Sequence, residues 1–179
     1  MIIGAVALIL METEPLHPTA APLAALTPEV QEAGAAVFDL ADGVEFQRLK
    51  WRNIVIHSSA GGPANVHRRC HFLVRLEANG HAGAAATHLW KRQAEGRHTY
   101  IPGRDFGAIS VGICLVGDFS GRPPSHAQYE ALVALVRALQ REFGVTPDHV
   151  YLHSDLVPNS ASPGRAFPAD DFSRRLLNP

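Results

Sequence analysis

Ten histidines in 179 residues are the first feature of the chain that bears on chemistry. A neutral imidazole ligates metals, and near pH 7 it also moves protons. Two of the ten share one setting. His57 closes the run Asn53-Ile54-Val55-Ile56-His57 and meets the breaker Ser58-Ser59-Ala60-Gly61-Gly62-Pro63, and His153 closes Val150-Tyr151-Leu152-His153 and meets Ser154-Asp155. Both runs read as strands from their β-branched, apolar content. In α/β sheets, loops and ligands gather at strand ends. Either histidine alone is most simply a surface or hydrogen-bonded residue, whereas two at matching strand ends point to a metal or acid/base site. Ser58 and Ser59 stand beside His57, but the chain lacks the G-x-S-x-G elbow of a serine hydrolase. Gly61-Gly62 is not a phosphate loop, since no Lys-Ser/Thr follows it.

The elements that must position this pair alternate along the chain. His71-Phe72-Leu73-Val74-Arg75-Leu76 reads as a second strand, closed by the hairpin-type turn Asn79-Gly80. Val111-Gly112-Ile113-Cys114-Leu115-Val116 is the most apolar strand and reads as central and covered on both faces. Ser125 with Gln128 makes a capping-box pattern; Tyr129, Leu132, Val133, Val136, Leu139 and Phe143 then recur at helical spacing until Gly144. Asp170 to Leu177 reads as a terminal helix. Thr27-Pro28-Glu29 offers an N-cap, a proline at the first helical position and an early acid, which predicts a short helix start. The pattern predicts an α/β fold: a mixed central β-sheet flanked by helices, within a domain spanning 27–179 and most compact from about Val44 to Pro179. No internal repeat is present.

Hydrophobic residues at 46% against charged residues at 18% supply a core for one domain. Lys+Arg 16 against Asp+Glu 17 gives a formal net charge of -1, without the basic surplus that nucleic-acid binding needs. Arg68-Arg69 and Arg174-Arg175 therefore read as surface or carboxylate contacts, and no nucleic-acid partner is expected. Two cysteines exclude both a disulfide-dense miniprotein and a four-cysteine zinc module. Cys114 reads as a small buried hydrophobe; a disulfide to Cys70 needs neighbouring strands and an oxidising compartment. His67, His81, His88, His126 and His149 stand in polar or turn settings and read as solvated.

Ile2 to Met11 is an unbroken apolar run. It is too short to span a bilayer, which takes roughly 20 such residues. It has the length of a secretory signal's apolar region, and small residues follow in Pro18-Thr19-Ala20-Ala21-Pro22, yet no Lys or Arg precedes it. Export or tethering stands beside an amino-terminal segment packed on the domain, or a misassigned start. The expected location is exported, periplasmic or cell-envelope associated, with the cytoplasm as the alternative; membrane contact is expected only through this segment. Glu12 to Leu26, rich in Pro, Ala and Thr, reads as a linker.

Four blocks follow one another in a recognisable order: NIVIHSSA, CHFLVR, SVGICLVGDF and LHSDLVPNSASPGRAFP. Together, over about Trp51 to Phe172, they resemble the zinc-dependent N-acetylmuramoyl-L-alanine amidases, which include amidase-type phage lysozymes and peptidoglycan recognition proteins. The most specific pieces are the GICLVGDF block and the HSD and SPG tail. The resemblance implies cleavage or binding of the amide between N-acetylmuramic acid and the L-alanine of a peptidoglycan stem. It implies zinc on His57 and His153, with Asp155 orienting His153 or its strand-end loop. Neutral imidazoles suit zinc, and a catalytic site keeps one position open for water. The resemblance aligns His98 with a histidine of the family's groove loop, where it would touch substrate or else be a surface histidine on a long loop, and Trp90 stacks on sugar, lines that groove or packs beneath the loop.

The sequence departs from the active pattern at three places. The third zinc ligand, a Cys or Asp before Pro-Gly in the family, is Ser162, a neutral and poor donor. The family Tyr before the His-Phe strand is Cys70, and the Lys two residues before the third ligand is Ser160. Both serve the oxyanion in active relatives, and losing one such donor alone costs about 10²–10³ in rate. In the peptidoglycan recognition branch, members with Ser at the third position bind cell-wall fragments without cutting them. Two readings follow: a zinc amidase that recruits Cys70, His98, Asp155 or water as substitute ligand, or a pseudoamidase that binds muropeptides.

Overall fold

The computed structural model describes residues 28–60 and 63–179; the apolar run at Ile2, the linker, Thr27 and Gly61-Gly62 lie outside them. Five strands, β1 (Asn53–Ser58), β2 (Phe72–Leu76), β3 (Ala82–Ala86), β4 (Ser110–Leu115) and β5 (Val150–Leu152), form one sheet in the order β3-β2-β4-β1-β5. All pairs are parallel except β2 with β3, so the sheet is mixed. β4 lies in the middle and is buried along its whole length, as its apolar run requires. The strand missing from the sequence reading is β3. Its residues, Ala82-Gly83-Ala84-Ala85-Ala86, have low β-propensity, and only the Asn79-Gly80 turn before them signals a hairpin. Gly80 adopts φ +83°, a left-handed geometry that favours glycine.

Side chains alternate across the sheet. Ile54, Ile56, Phe72, Val74, Val111, Ile113 and Leu115 face the main core beneath the helices. Their neighbours Leu73 and Cys114, joined by Cys70, form a separate apolar patch on the other face. Helices α1 (Pro28–Val37) and α3 (His126–Phe143) cover the first face. α1, ahead of Val44, belongs to the compact unit because Ala33, Ala36 and Val37 are in the core. α3 starts where expected, with Ser125 Oγ accepting from Gln128 N at 3.2 Å, and it ends at Gly144, a left-handed cap at φ +64°. Gln128 does not complete a capping box. Its Nε2 instead donates to Val74 O and Val116 O, both at 3.0 Å, tying the helix start to the ends of β2 and β4.

Short helices finish the fold: α2 (His88–Lys91), α4 (His153–Leu156) and α5 (Ala169–Arg174). Trp90 on α2 corrects a groove-lining expectation. Its exposure is 0%, its ring packs on Phe72 and Trp51 at 4.7 and 5.5 Å, and its Nε1 donates to Val37 O at 2.8 Å. Trp90 therefore fastens α1 to the sheet and offers no face to a ligand. Cys70 and Cys114 are neighbours but free thiols, so the conditional disulfide is not formed. Replacing Trp90 with Ala is expected to cost about 3–5 kcal/mol of unfolding free energy, read by urea denaturation. A loss below about 1 kcal/mol, the scale of a surface change, would contradict the core assignment.

Candidate functional site

Register alone brings the two strand-end histidines together. β5 runs parallel to β1 with Ile56 opposite Leu152, so the next residue on each strand is His57 and His153. β5 ends at Leu152, and His153 is the first residue of α4. The ring centroids lie 4.6 Å apart. His57 is 7% exposed and His153 half-buried.

His57 is held from behind by residues of the loop between α2 and β4. His98 is 4% exposed, and its Nε2 meets Ser110 O at 3.1 Å. A carbonyl only accepts, so that nitrogen carries the proton and Nδ1 is the acceptor. His98 Nδ1 lies 3.0 Å from Thr99 Oγ1 and 3.3 Å from His57 Nε2. His57 Nε2 therefore donates into this pair, with Thr99 Oγ1 at 3.4 Å, and His57 Nδ1 keeps its lone pair. Among the described residues, neither His57 Nδ1 nor His153 Nε2 has a hydrogen-bond partner. This is the tautomer a metal ligand needs, with the remaining N–H anchored by the protein. Gly112 makes the arrangement possible: a Cβ there would stand 2.4 Å from the His98 ring.

Burial above all holds these rings neutral. It pushes His57 well below the ordinary imidazole range, with His98, His153 and the Arg69 charge adding to the effect. His98 falls to about 4 by burial, opposed by its bond to Ser110. His71, whose Nδ1 accepts from Gly112 N at 2.9 Å and whose Nε2 donates to Ala94 O at 2.9 Å, falls to about 3, again mainly by burial. His153 is lowered by burial and then by Arg69.

The segment after α4 supplies the opposite wall. Ser162 Oγ accepts from Ser58 N at 2.9 Å, so the residue before Pro163-Gly164 stands over the end of β1. Ser160 Oγ pairs with His153 Nδ1 at 2.7 Å and accepts from Ser162 N at 3.2 Å. Gly164 fixes this wall: at φ +141°, a Cβ there would lie 2.4 Å from the Phe119 backbone. The SPG and GDF blocks thus touch. A cleft of about 170 Å³ results, lined by His57, His153, His98, Arg69, Cys70, Ser160 and Ser162 among others. Asp155 is not there. It is exposed, and its Oδ2 accepts from Leu152 N at 2.8 Å, bracing the strand-end corner without touching the His153 ring. Thr99, Arg69 as a charge in the cleft, and Gly112 were missed from the sequence. Only Gly112, a glycine inside an apolar strand, carried a readable signal of close approach.

Zinc does not fit the donor set. Two imidazoles remain available, but Ser162 is a neutral hydroxyl already engaged by Ser58. Two of the substitute protein ligands are otherwise occupied: both nitrogens of His98 are bonded, and Asp155 caps a backbone amide. The Cys70 thiol is raised well above its ordinary range, first by its hydrogen bond with Cys114 and then by burial, so it is no thiolate. Among the described residues, no group of three His, Cys, Asp or Glu could hold a metal ion. Arg69 adds positive charge where a dication would need an anion.

Residues 47–165 match the model of the N-acetylmuramoyl-L-alanine amidase family. The chain belongs to that family. It is 36% identical to human peptidoglycan recognition protein 3 over 97 residues, covering 54% of this chain and 25% of that protein. The chain thus spans a quarter of this curated relative. The endolysin N-acetylmuramoyl-L-alanine amidase LysCS from Clostridium intestinale is similar with TM-score 0.57 at 20% identity, over 74% of this chain and 91% of that one. AmpDh3 from Pseudomonas aeruginosa, solved in complex with anhydromuramic pentapeptide, gives 0.55 at 24%, over 75% and 62%. Both structures establish the amidase fold.

Two outcomes follow from the site. Because His71 and His98 titrate near 3 and 4 when folded against 6.5 unfolded, the unfolded chain binds more protons below pH 6.5. Their stabilising contribution is present above that pH and is lost as pH falls, by about 1.4 kcal/mol per unit for each ring. Denaturant unfolding across this range should show the slope, and a flat profile between about pH 6.5 and 4 would contradict neutral burial. Ser162→Asp should raise zinc affinity at least about tenfold by supplying the missing anion, measured by chelator competition. No gain would mean that the His57 and His153 nitrogens do not converge on that corner.

Proposed function

We propose that this chain is a muropeptide-binding domain on an amidase scaffold, which recognises the muramyl–L-alanine region of cell-wall peptides without hydrolysing it. The observation that carries this reading is Ser162 Oγ, a neutral group held by Ser58 N–H at the corner where an active amidase needs an anionic zinc ligand. The cleft retains what an amide needs to be bound. His57 Nδ1 offers a lone pair to an N–H, and the Ser162 hydroxyl, whose oxygen accepts from Ser58, keeps its proton to donate to a carbonyl. Arg69 adds a positive charge that suits carbonyl or carboxylate oxygen. These contacts hold a ground state. Among the described residues, the cleft has no carboxylate to fix a metal or to activate water.

A hydrolytic reading has one argument in its favour, the tautomer that the His98 and Thr99 contacts assign to His57. It would require a third donor from outside the described residues. An exported or cell-envelope location fits this reading, with the Ile2–Met11 run as the segment that would direct or tether the chain there; a cytoplasmic location fits a muropeptide ligand as well. No helix among the described residues is long and apolar enough to cross a membrane.

Calorimetric titration with a muramyl peptide, paired with chromatography of the mixture in the presence of added zinc, tests the proposal. Saturable binding with intact peptide, unaffected by chelator, is the expected result. Chelator-sensitive release of free peptide would overturn it in favour of an enzyme, and absence of binding would overturn both readings.

A further inference from the structure

A larger groove than the histidine cleft lies on the helix-covered side of the sheet. It encloses about 580 Å³ between the β2–β3 turn, α3 and Arg175, and it shares no residue with the lining of the histidine cleft. Its charged groups are Arg137, Arg141, Arg175 and Glu130, with His81 and His126 at its rim. Arg175 is already balanced. It holds Glu130 through two hydrogen bonds of 2.6 Å, which lower the Glu130 carboxyl and raise the guanidinium.

The other two arginines are not balanced. Arg137 and Arg141 stand four residues apart on α3, hence on one face one turn apart, where like charges repel. Among the described residues, neither has a hydrogen-bond or ion-pair partner, and Arg137 Nε is buried without an acceptor. Arg137 is part-buried with its Nε out of solvent reach, so an arriving anion would meet the terminal nitrogens of a guanidinium whose charge nothing in the groove balances. The remaining wall is apolar, formed by Ala82, Ala127, Val133 and Ala134, and the volume far exceeds that of one bare oxyanion.

We propose that this groove binds an organic phosphate, with the phosphate oxygens on Arg137 and Arg141 and a carbon body along the apolar wall. A doubly charged group suits the site better than a single carboxylate. With Arg175 and Glu130 cancelling, two positive charges remain, and a phosphomonoester carries about −1.5 to −2 near neutrality. Guanidinium forks match phosphate oxygens in pairs. The same chemistry occurs on a small phosphomonoester and on successive phosphodiesters of a polyol-phosphate polymer. The site stands apart from the histidine cleft, so its test does not depend on muropeptide binding.

The test is calorimetric titration of the full chain with inorganic phosphate, sn-glycerol 3-phosphate and a poly(glycerol phosphate) chain, at near-physiological salt. Saturable binding of at least one of the two organic probes is expected. A preference for the monoester identifies a small-molecule site and a preference for the chain a polymer site. R137Q and R141Q should each weaken binding by about tenfold. R122Q, which removes the same charge from an exposed loop outside the groove, should leave it unchanged. R141Q guards against misfolding of R137Q, since Arg141 is exposed. Binding of inorganic phosphate alone, no saturable binding, or equal losses in R122Q and R141Q would overturn the proposal.

Discussion

Parallel pairing of β5 with β1 is the constraint on which the site depends. With Ile56 opposite Leu152, two imidazoles some hundred residues apart in sequence can only end side by side at one sheet edge. A slip of one residue would send one ring to the helix-covered face. The rest of the site reads as support for this pairing. His98 and Thr99 back His57, Ser160 backs His153, and Gly112 yields the space that the His98 ring fills. Burial then keeps the cluster neutral, so three imidazoles coexist within one cleft without mutual repulsion at neutral pH.

Against that preserved frame, one corner has changed its charge. A Cys or Asp before Pro163-Gly164 would give the cleft an anion; Ser162 gives it a hydroxyl, and Arg69 adds a cation. Geometry and charge therefore point in different directions. The geometry, down to the His57 tautomer, is that of a metal site, while the charge balance is that of a cleft for a polar, oxygen-rich ligand. The family's fold with a serine at the ligand position fits the binding reading proposed above. Fold and function separate readily in this way, because activity resides in a few side chains at strand ends.

Much of the frame was legible in the sequence because its signals are local. β-Branched runs marked β1 and β4, helical spacing marked α3, and Ser125 and Gly144 marked its ends. His57 and His153 stood out because a strand end is visible in sequence. β3 was hidden, since an Ala and Gly run becomes a strand only through pairing with β2. Trp90 was ambiguous because nothing local tells whether an aromatic side chain turns to a groove or to the core. Ser160 was placed in the right cleft through the resemblance, yet its bond to His153 Nδ1 depends on how the loop folds back. Thr99 and the charge of Arg69 were unreadable for the same reason. Their effect on His57 is purely tertiary, as is the capture of Asp155 by the Leu152 amide.

The neutral third corner is the central claim, and the zinc content of the unmodified protein measures it most directly. Purified chain equilibrated with micromolar free zinc, then passed into metal-free buffer and examined by native mass spectrometry, should retain well under one zinc per molecule. One zinc held per chain through that exchange would show that the histidine pair has an effective third donor, and the binding-only assignment would fall.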